Sequence, residues 1–254
     1  MAWVTKSSSE SYENLKEPER VYTPAEKLAN WWHYYKWAVL IVLIVLGITG
    51  WIAYSVLSQK TPDYQVAWVA SYDLPTETVT ALQDRLEGYA IDRNRDGETY
   101  VQVNRYVIDF DEAETSESAD PSMAAYSRIA GMTRLSADLS EGMSYIFIIE
   151  DPENFLRATE CLQYLDGTTP AEGAKDWQNM VYRWTDCPVL TGFDLGQYEN
   201  TLTGEPEESA QLFEGVYVAR RGAWTEEQQE ENTHYDGMWE LLTKEVQPMG
   251  ESDR

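Results

Sequence analysis

Hydrophobic and polar positions divide the chain into one unbroken apolar run and a longer region of regular alternation. Lys36 and Lys60 bracket 23 residues without a charge, Trp37 to Gln59, built around AVLIVLIVLGITGWIAYSVL. Crossing a hydrocarbon core takes ~20 apolar residues at ~1.5 Å each. The run is apolar all round, with no polar face of the kind a surface helix shows. It predicts a transmembrane span over about 37–57. The helix is expected to start earlier, because Thr23-Pro24-Ala25-Glu26 reads as N-cap, first-turn proline and capping-box glutamate. A helix over 24–58 would be about 50 Å long.

The flanks of the run support an uncleaved signal anchor. Trp31, Trp32, Tyr34, Tyr35, Lys36 and Trp37 gather before it, the residue types that settle at a membrane interface. Bulky Trp51, Ile52, Tyr54 and Val56 stand where a cleavage site would need small residues. Arg20, Lys27 and Lys36 precede the run closely, whereas only Lys60 follows it closely. The positive-inside rule therefore predicts a cytoplasmic N-terminus and an extracytoplasmic remainder.

Beyond the expected linker 59–63, the pattern changes period. Residues 64–71, YQVAWVAS, predict a strand covered on both faces. Val79, Leu82, Leu86 and Tyr89 recur at helical spacing over 75–89. Residues 99–110 are rich in β-branched and aromatic types and predict a second strand. Asp120-Pro121 opens a helix to about Leu139, SYIFII at 144–149 predicts a buried strand, and Asp151-Pro152 opens a short helix. After a weakly patterned stretch, 159–213, a strand is expected at 214–220 and a helix over 225–244. The fold class expected is α/β: an N-terminal transmembrane helix followed by a single α/β domain, 64–246, with a mostly parallel sheet flanked by helices. Residues 1–23 and 247–254 are expected to be disordered tails.

Composition adds the sign of the charge. The 254 residues carry 44 Asp+Glu against 19 Lys+Arg, a net −25. Residues 1–36 hold five bases and five glutamates, so all of that excess lies beyond Lys36. A polyanion of this kind is no partner for nucleic acid, whose backbone needs a cationic surface. The 10 Trp and 17 Tyr supply material for a core and argue against general disorder.

Chemistry-bearing residues are few. Asp92, Asn94 and Asp96, followed by Gly97, match the first half of a calcium loop. The twelfth position is Val103, where such a loop needs a bidentate carboxylate. Two readings stand: a calcium site completed by a ligand from elsewhere, or an Asx-rich turn joining helix to strand. Ligands of open α/β sheets bind beyond the carboxyl ends of the strands, which here places Tyr72, Asp73, Asp111 and Glu150 as ligand-binding candidates. Cys161 and Cys187 are expected either to form a disulfide, which the outer side of a membrane permits, or to remain two buried thiols. With two histidines, His33 and His234, and no nucleotide-binding or hydrolase motif, catalysis is not expected. Paired carboxylates leave a carboxylate-dependent hydrolase as a minor alternative.

The segments EKLANWWHYYKW and DYQVAWVASYDLPTETVTALQDRLEGYAIDRNRDGETYVQVNRY resemble a group of uncharacterised single-span membrane proteins of Gram-positive, Clostridia-like bacteria, over roughly residues 25–155. The order strand, helix, strand, helix, SYIFII also resembles the first lobe of extracellular solute-binding proteins. That resemblance implies a ligand-binding ancestry. The function expected is a membrane-anchored extracytoplasmic binding domain, its partners the lipid bilayer and a small ligand or an envelope protein. The alternative is an accessory or structural subunit of an envelope complex.

Overall fold

A computed structural model describes residues 23–57, 60–110, 121–201 and 203–246, with backbone alone at 56–57 and 121–125. The chain divides into two units, Met1–Gln59 and Lys60–Arg254. The expected N-terminal tail up to residue 22, the tail 247–254 and Asp111 lie outside the described residues.

The first unit is one helix, α1 (Pro24–Leu57). Its start follows the capping box: the Glu26 amide donates to the Thr23 hydroxyl at 3.3 Å, and the Thr23 amide donates to the Glu26 carboxylate at 3.0 Å. At ~1.5 Å per residue its 34 residues make about 51 Å. The helix is long and apolar enough to cross a membrane, and none of its apolar window is buried by protein.

In the second unit five strands form one sheet in the order β2-β1-β3-β7-β4. These are β1 (Tyr64–Ala70), β2 (Val101–Val107), β3 (Ile146–Ile149), β4 (Val181–Arg183) and β7 (Tyr217–Arg220). A two-stranded hairpin, β5 (Gln197–Glu199) and β6 (Pro206–Glu208), stands apart. β1 pairs in parallel with β2 and β3, whereas β7 is antiparallel to β3 and β4. The sheet is therefore mixed, which corrects the expectation of a mostly parallel one. The reason lies in the connections. Helices α2 (Thr76–Glu87) and α3 (Pro121–Glu141) carry the chain back between β1, β2 and β3, as parallel neighbours require. No long helix separates β4 from β7, only the short α5 (Pro188–Thr191), the hairpin and 3-10 turns, so β7 comes back against the direction of its neighbours.

Both faces of the sheet are covered. Val66, Trp68, Ile146 and Ile148 point to one face, where Leu82 and Leu86 of α2 and Tyr235, Met238 and Trp239 of α6 (Glu226–Leu242) pack. Ala67, Val69, Phe147 and Ile149 point to the other, under Leu135 of α3 and Phe155 of α4 (Pro152–Thr159). This period-2 division explains why the central strands read as continuous apolar runs. Trp68, fully buried at the centre, meets Phe213 edge-on at 5.3 Å.

The cysteines fall on opposite faces. Cys161 belongs to the α3–α4 side and Cys187 to the α2–α6 side, both as buried free thiols. With the sheet between them, the disulfide is not formed. Burial raises each thiol pKa to about 12.

Candidate functional site

The expected place for a ligand is the carboxyl edge of the sheet where strand order reverses. Here that point lies between β1 and β3. The chain leaves β1 for α2 on one face and leaves β3 for α4 on the other, and adjacent strands diverging in this way leave a crevice. The structure has one there, about 320 Å³, lined by Ser71 after β1, Ile108–Phe110 after β2 and Glu150–Asp151 after β3.

Each lining group is held by the local fold. Glu150 bridges the two central strands: its carboxylate accepts the Ser71 amide at 2.6 Å, and its own amide donates to the Val69 carbonyl at 3.0 Å. Asp151 caps α4, accepting the Asn154 amide at 3.0 Å. This is the role that an Asp-Pro pair at a helix start supports. The Phe110 ring closes a wall by meeting Phe155 edge-on at 6.3 Å. Asp109 adds a third carboxylate, exposed at the mouth. The crevice thus combines an acidic rim with an apolar floor of Val69, Ala70 and Ile108. Among the described residues no group of three His, Cys, Asp or Glu is arranged to hold a metal ion.

Of the four residues predicted from strand ends, the crevice contains Glu150. The Tyr72 hydroxyl donates to the Leu212 carbonyl, and its ring lies edge-on to Trp68 at 5.5 Å. Burial, aided by the charge of Glu150, pushes its pKa up to about 12. Asp73 accepts two bonds from Arg105, both 3.0 Å, and tethers β2 to the α2 loop. Asp111 lies outside the described residues. Sequence reasoning did not find Ser71 or Phe110, because a backbone amide and a hydrophobic wall leave no mark in residue type.

The Asp92–Gly97 loop uses its side-chain oxygens on its own backbone. Asp92 accepts the amides of Arg95 and Gly97 at 2.6 and 3.0 Å. Asn94 accepts that of Asp96 at 2.8 Å, and Asp96 that of Glu98 at 2.9 Å. Buried Asp63 anchors the loop from below, accepting the amides of Arg93, Asn94 and Tyr100 at 2.7, 3.0 and 2.9 Å. This geometry supports the Asx-rich turn. Arg95 there sits at φ +59, with no side-chain shape that favours it.

Trp31, Trp32, Tyr34, Tyr35 and Trp37 are all exposed on α1, together with Lys36. Tyr35 and Tyr54, towards the two ends of the apolar run, are 19 residues apart on the helix, so at ~1.5 Å per residue they stand ~28 Å apart, close to the ~30 Å of a hydrocarbon core. No family model matches the chain, and neither a curated protein nor a solved structure matches it.

Proposed function

We propose that this is a single-span membrane protein whose extracytoplasmic domain binds a small ligand in the crevice between β1 and β3. The observation that carries the reading is the crevice itself, which lies at the strand-order reversal and joins an acidic rim to an apolar floor. Its volume, about 320 Å³, suits a ligand at the small end of the range that protein clefts take. Carboxylates of Asp109, Glu150 and Asp151 favour hydroxyl or ammonium groups on that ligand. The span positions the domain, and the basic flank before it favours a cytoplasmic N-terminus.

The test uses the full chain in detergent micelles. Its melting midpoint is measured against a panel of polyols, sugars and diamines. A ligand at 100 times its Kd adds ~2.7 kcal/mol of stability, and Glu150→Gln, which removes the charge, should cancel most of the shift. A midpoint indifferent to the whole panel would count against the crevice as a binding site.

A second reading, docking to an envelope protein, draws on α3. Tyr126 and Ile129 on its outer surface are 72% and 63% exposed. Co-purification of a stoichiometric partner that is lost in Tyr126→Ser/Ile129→Ser would favour it.

A further inference from the structure

At the opposite end of the sheet from the crevice lies a wider groove, about 1080 Å³, between the Asp92–Gly97 loop, the N-terminal half of α6 and the 140–145 turn. Its volume stands at the top of the ~300–1,000 Å³ that clefts for small ligands take, which gives room for an extended ligand. Much of its charge is already matched. Arg93 donates to both carboxylate oxygens of Glu231 at 2.9 and 3.0 Å, and Asp63 and Asp92 accept backbone amides. What stays open is a set of neutral donors and ionised acceptors.

Three donors line the groove. Gln65 and Tyr145 stand side by side on neighbouring strands, each one residue before the Val66–Ile146 pair. Gln65 Oε1 accepts the Asn104 side-chain amide at 2.9 Å, which leaves its Nε2 without a partner among the described residues. On α6, Gln228 Oε1 accepts the Trp224 amide at 2.9 Å and leaves Nε2 over in the same way. Tyr145 is 3% exposed, its ring is stacked on Tyr235 at 5.0 Å, and its hydroxyl has no partner among the described residues. That hydroxyl is not sealed. The buried side-chain atoms without a partner are Arg220 Nε and the Nε and Nη1 of Arg221. Arg221 lies behind the Tyr145 ring, 5.3 Å from it, where the groove does not reach. An unsealed hydroxyl on a residue that lines the groove opens into it. Burial pushes the Tyr145 pKa up, so the hydroxyl keeps its proton.

Two acceptors complete the set. Glu141 ends α3, and Glu227 lies in the first turn of α6. Both are exposed, both line the groove, and neither has a basic partner among the described ion pairs. This mixture selects a class of ligand. Five carboxylates and two guanidinium groups line the groove, a balance that repels an anion. A cation would satisfy the carboxylates but set both glutamine N–H groups against a charge of their own sign. A peptide carries donors and acceptors too, but pockets for its side chains give a peptide site its specificity. Among the described lining residues only Pro62, Ile91 and Met143 are aliphatic. A hydroxyl both donates and accepts, so a run of hydroxyls meets all five groups.

We infer that the groove binds a neutral, polyhydroxylated chain, a short oligosaccharide, whose hydroxyls accept from Gln65, Gln228 and Tyr145 and donate to Glu141 and Glu227. The site stands independently of the crevice between β1 and β3.

The test is the melting midpoint of the full chain carrying Glu150→Gln, which silences the crevice, in polyoxyethylene micelles free of sugar headgroups. The probes are the neutral trisaccharides maltotriose, cellotriose and xylotriose, with spermidine as the cation and N-acetyl-trialanine amide as the neutral peptide. At least one trisaccharide should raise the midpoint in a saturable way, and spermidine and the peptide should not. Tyr145→Phe keeps the stacked ring and should weaken half-saturation about fivefold. Glu227→Gln removes a charged acceptor and should weaken it about tenfold. Both variants should melt cooperatively without ligand. A midpoint indifferent to all three trisaccharides, or a response that both variants retain in full, would overturn the site. A larger response to spermidine or to the peptide would overturn the class of ligand.

Discussion

At the residue scale, several polar side chains hold the domain together from inside. Asp138 on α3 is 1% exposed and accepts from the Tyr106 hydroxyl, the Ser144 amide at 3.0 Å and the Ser144 hydroxyl at 2.6 Å. Burial, then the bond to Asp138, keeps the Tyr106 hydroxyl protonated well above its ordinary range. Asp138→Ala strands three donors, each costing ~1–3 kcal/mol when left buried. A loss of at least ~3 kcal/mol is expected in denaturant unfolding of the full chain in micelles. The thiols give a prediction with a pH sign. Cys161 and Cys187 have folded pKa values of about 12, above the ~8.5 of a free thiol. Their contribution to stability is intact below pH ~8.5 and is lost as pH rises towards 12. Circular dichroism from pH 8 to 12 should show alkaline unfolding, delayed in Cys161→Ala/Cys187→Ala. Neither thiol should react with iodoacetamide at pH 8 until the chain is unfolded, after which two equivalents should add.

Elements are where two glycines of similar appearance in sequence part company. Gly131 lies in α3 where the helix meets β2, and a Cβ there would stand 2.7 Å from the Val107 carbonyl and 2.8 Å from Ile108 Cγ1. The ~1 kcal/mol that alanine gains in a helix cannot offset displacement of a strand backbone, which costs ~1–3 kcal/mol. Gly131→Ala should lower the melting midpoint. Gly237 sits in α6 with nothing within 4 Å of its added Cβ, so Gly237→Ala should raise stability by ~0.5–1 kcal/mol. Helix starts were legible because caps are local: Thr23-Pro24, Asp151-Pro152 and Thr225 all begin helices as expected. At Thr225 the cap is closed by the Gln228 amide donating to the Thr225 hydroxyl at 3.2 Å, while the Gln228 side chain accepts the Trp224 amide at 2.9 Å. The three-residue strands β4, β5 and β6 were not legible. They are too short to show a period and depend on partners far along the chain.

For the whole molecule, the proposed span would give α1 a different solvent from the second unit. The exposed apolar surface of α1 and the acidic second unit cannot share one aqueous environment without the helix associating. Alkaline carbonate should leave the full chain in the membrane pellet. Protease added to intact cells should degrade a tag fused behind Arg254, and a protected tag would reverse the orientation.

The apolar run, its aromatic flank, the long helices and the three central strands were settled by local pattern, because their burial repeats at a fixed period along the chain. Tertiary structure decided the rest. It reversed β7, separated Cys161 from Cys187 by a sheet, drew Tyr72 and Asp73 into packing and left Glu150 facing the crevice. It also set Tyr145 over a buried Arg221 that residue type alone would have placed at the surface. Those outcomes depend on which distant segment arrives as a neighbour, and no periodicity in one stretch of chain encodes that.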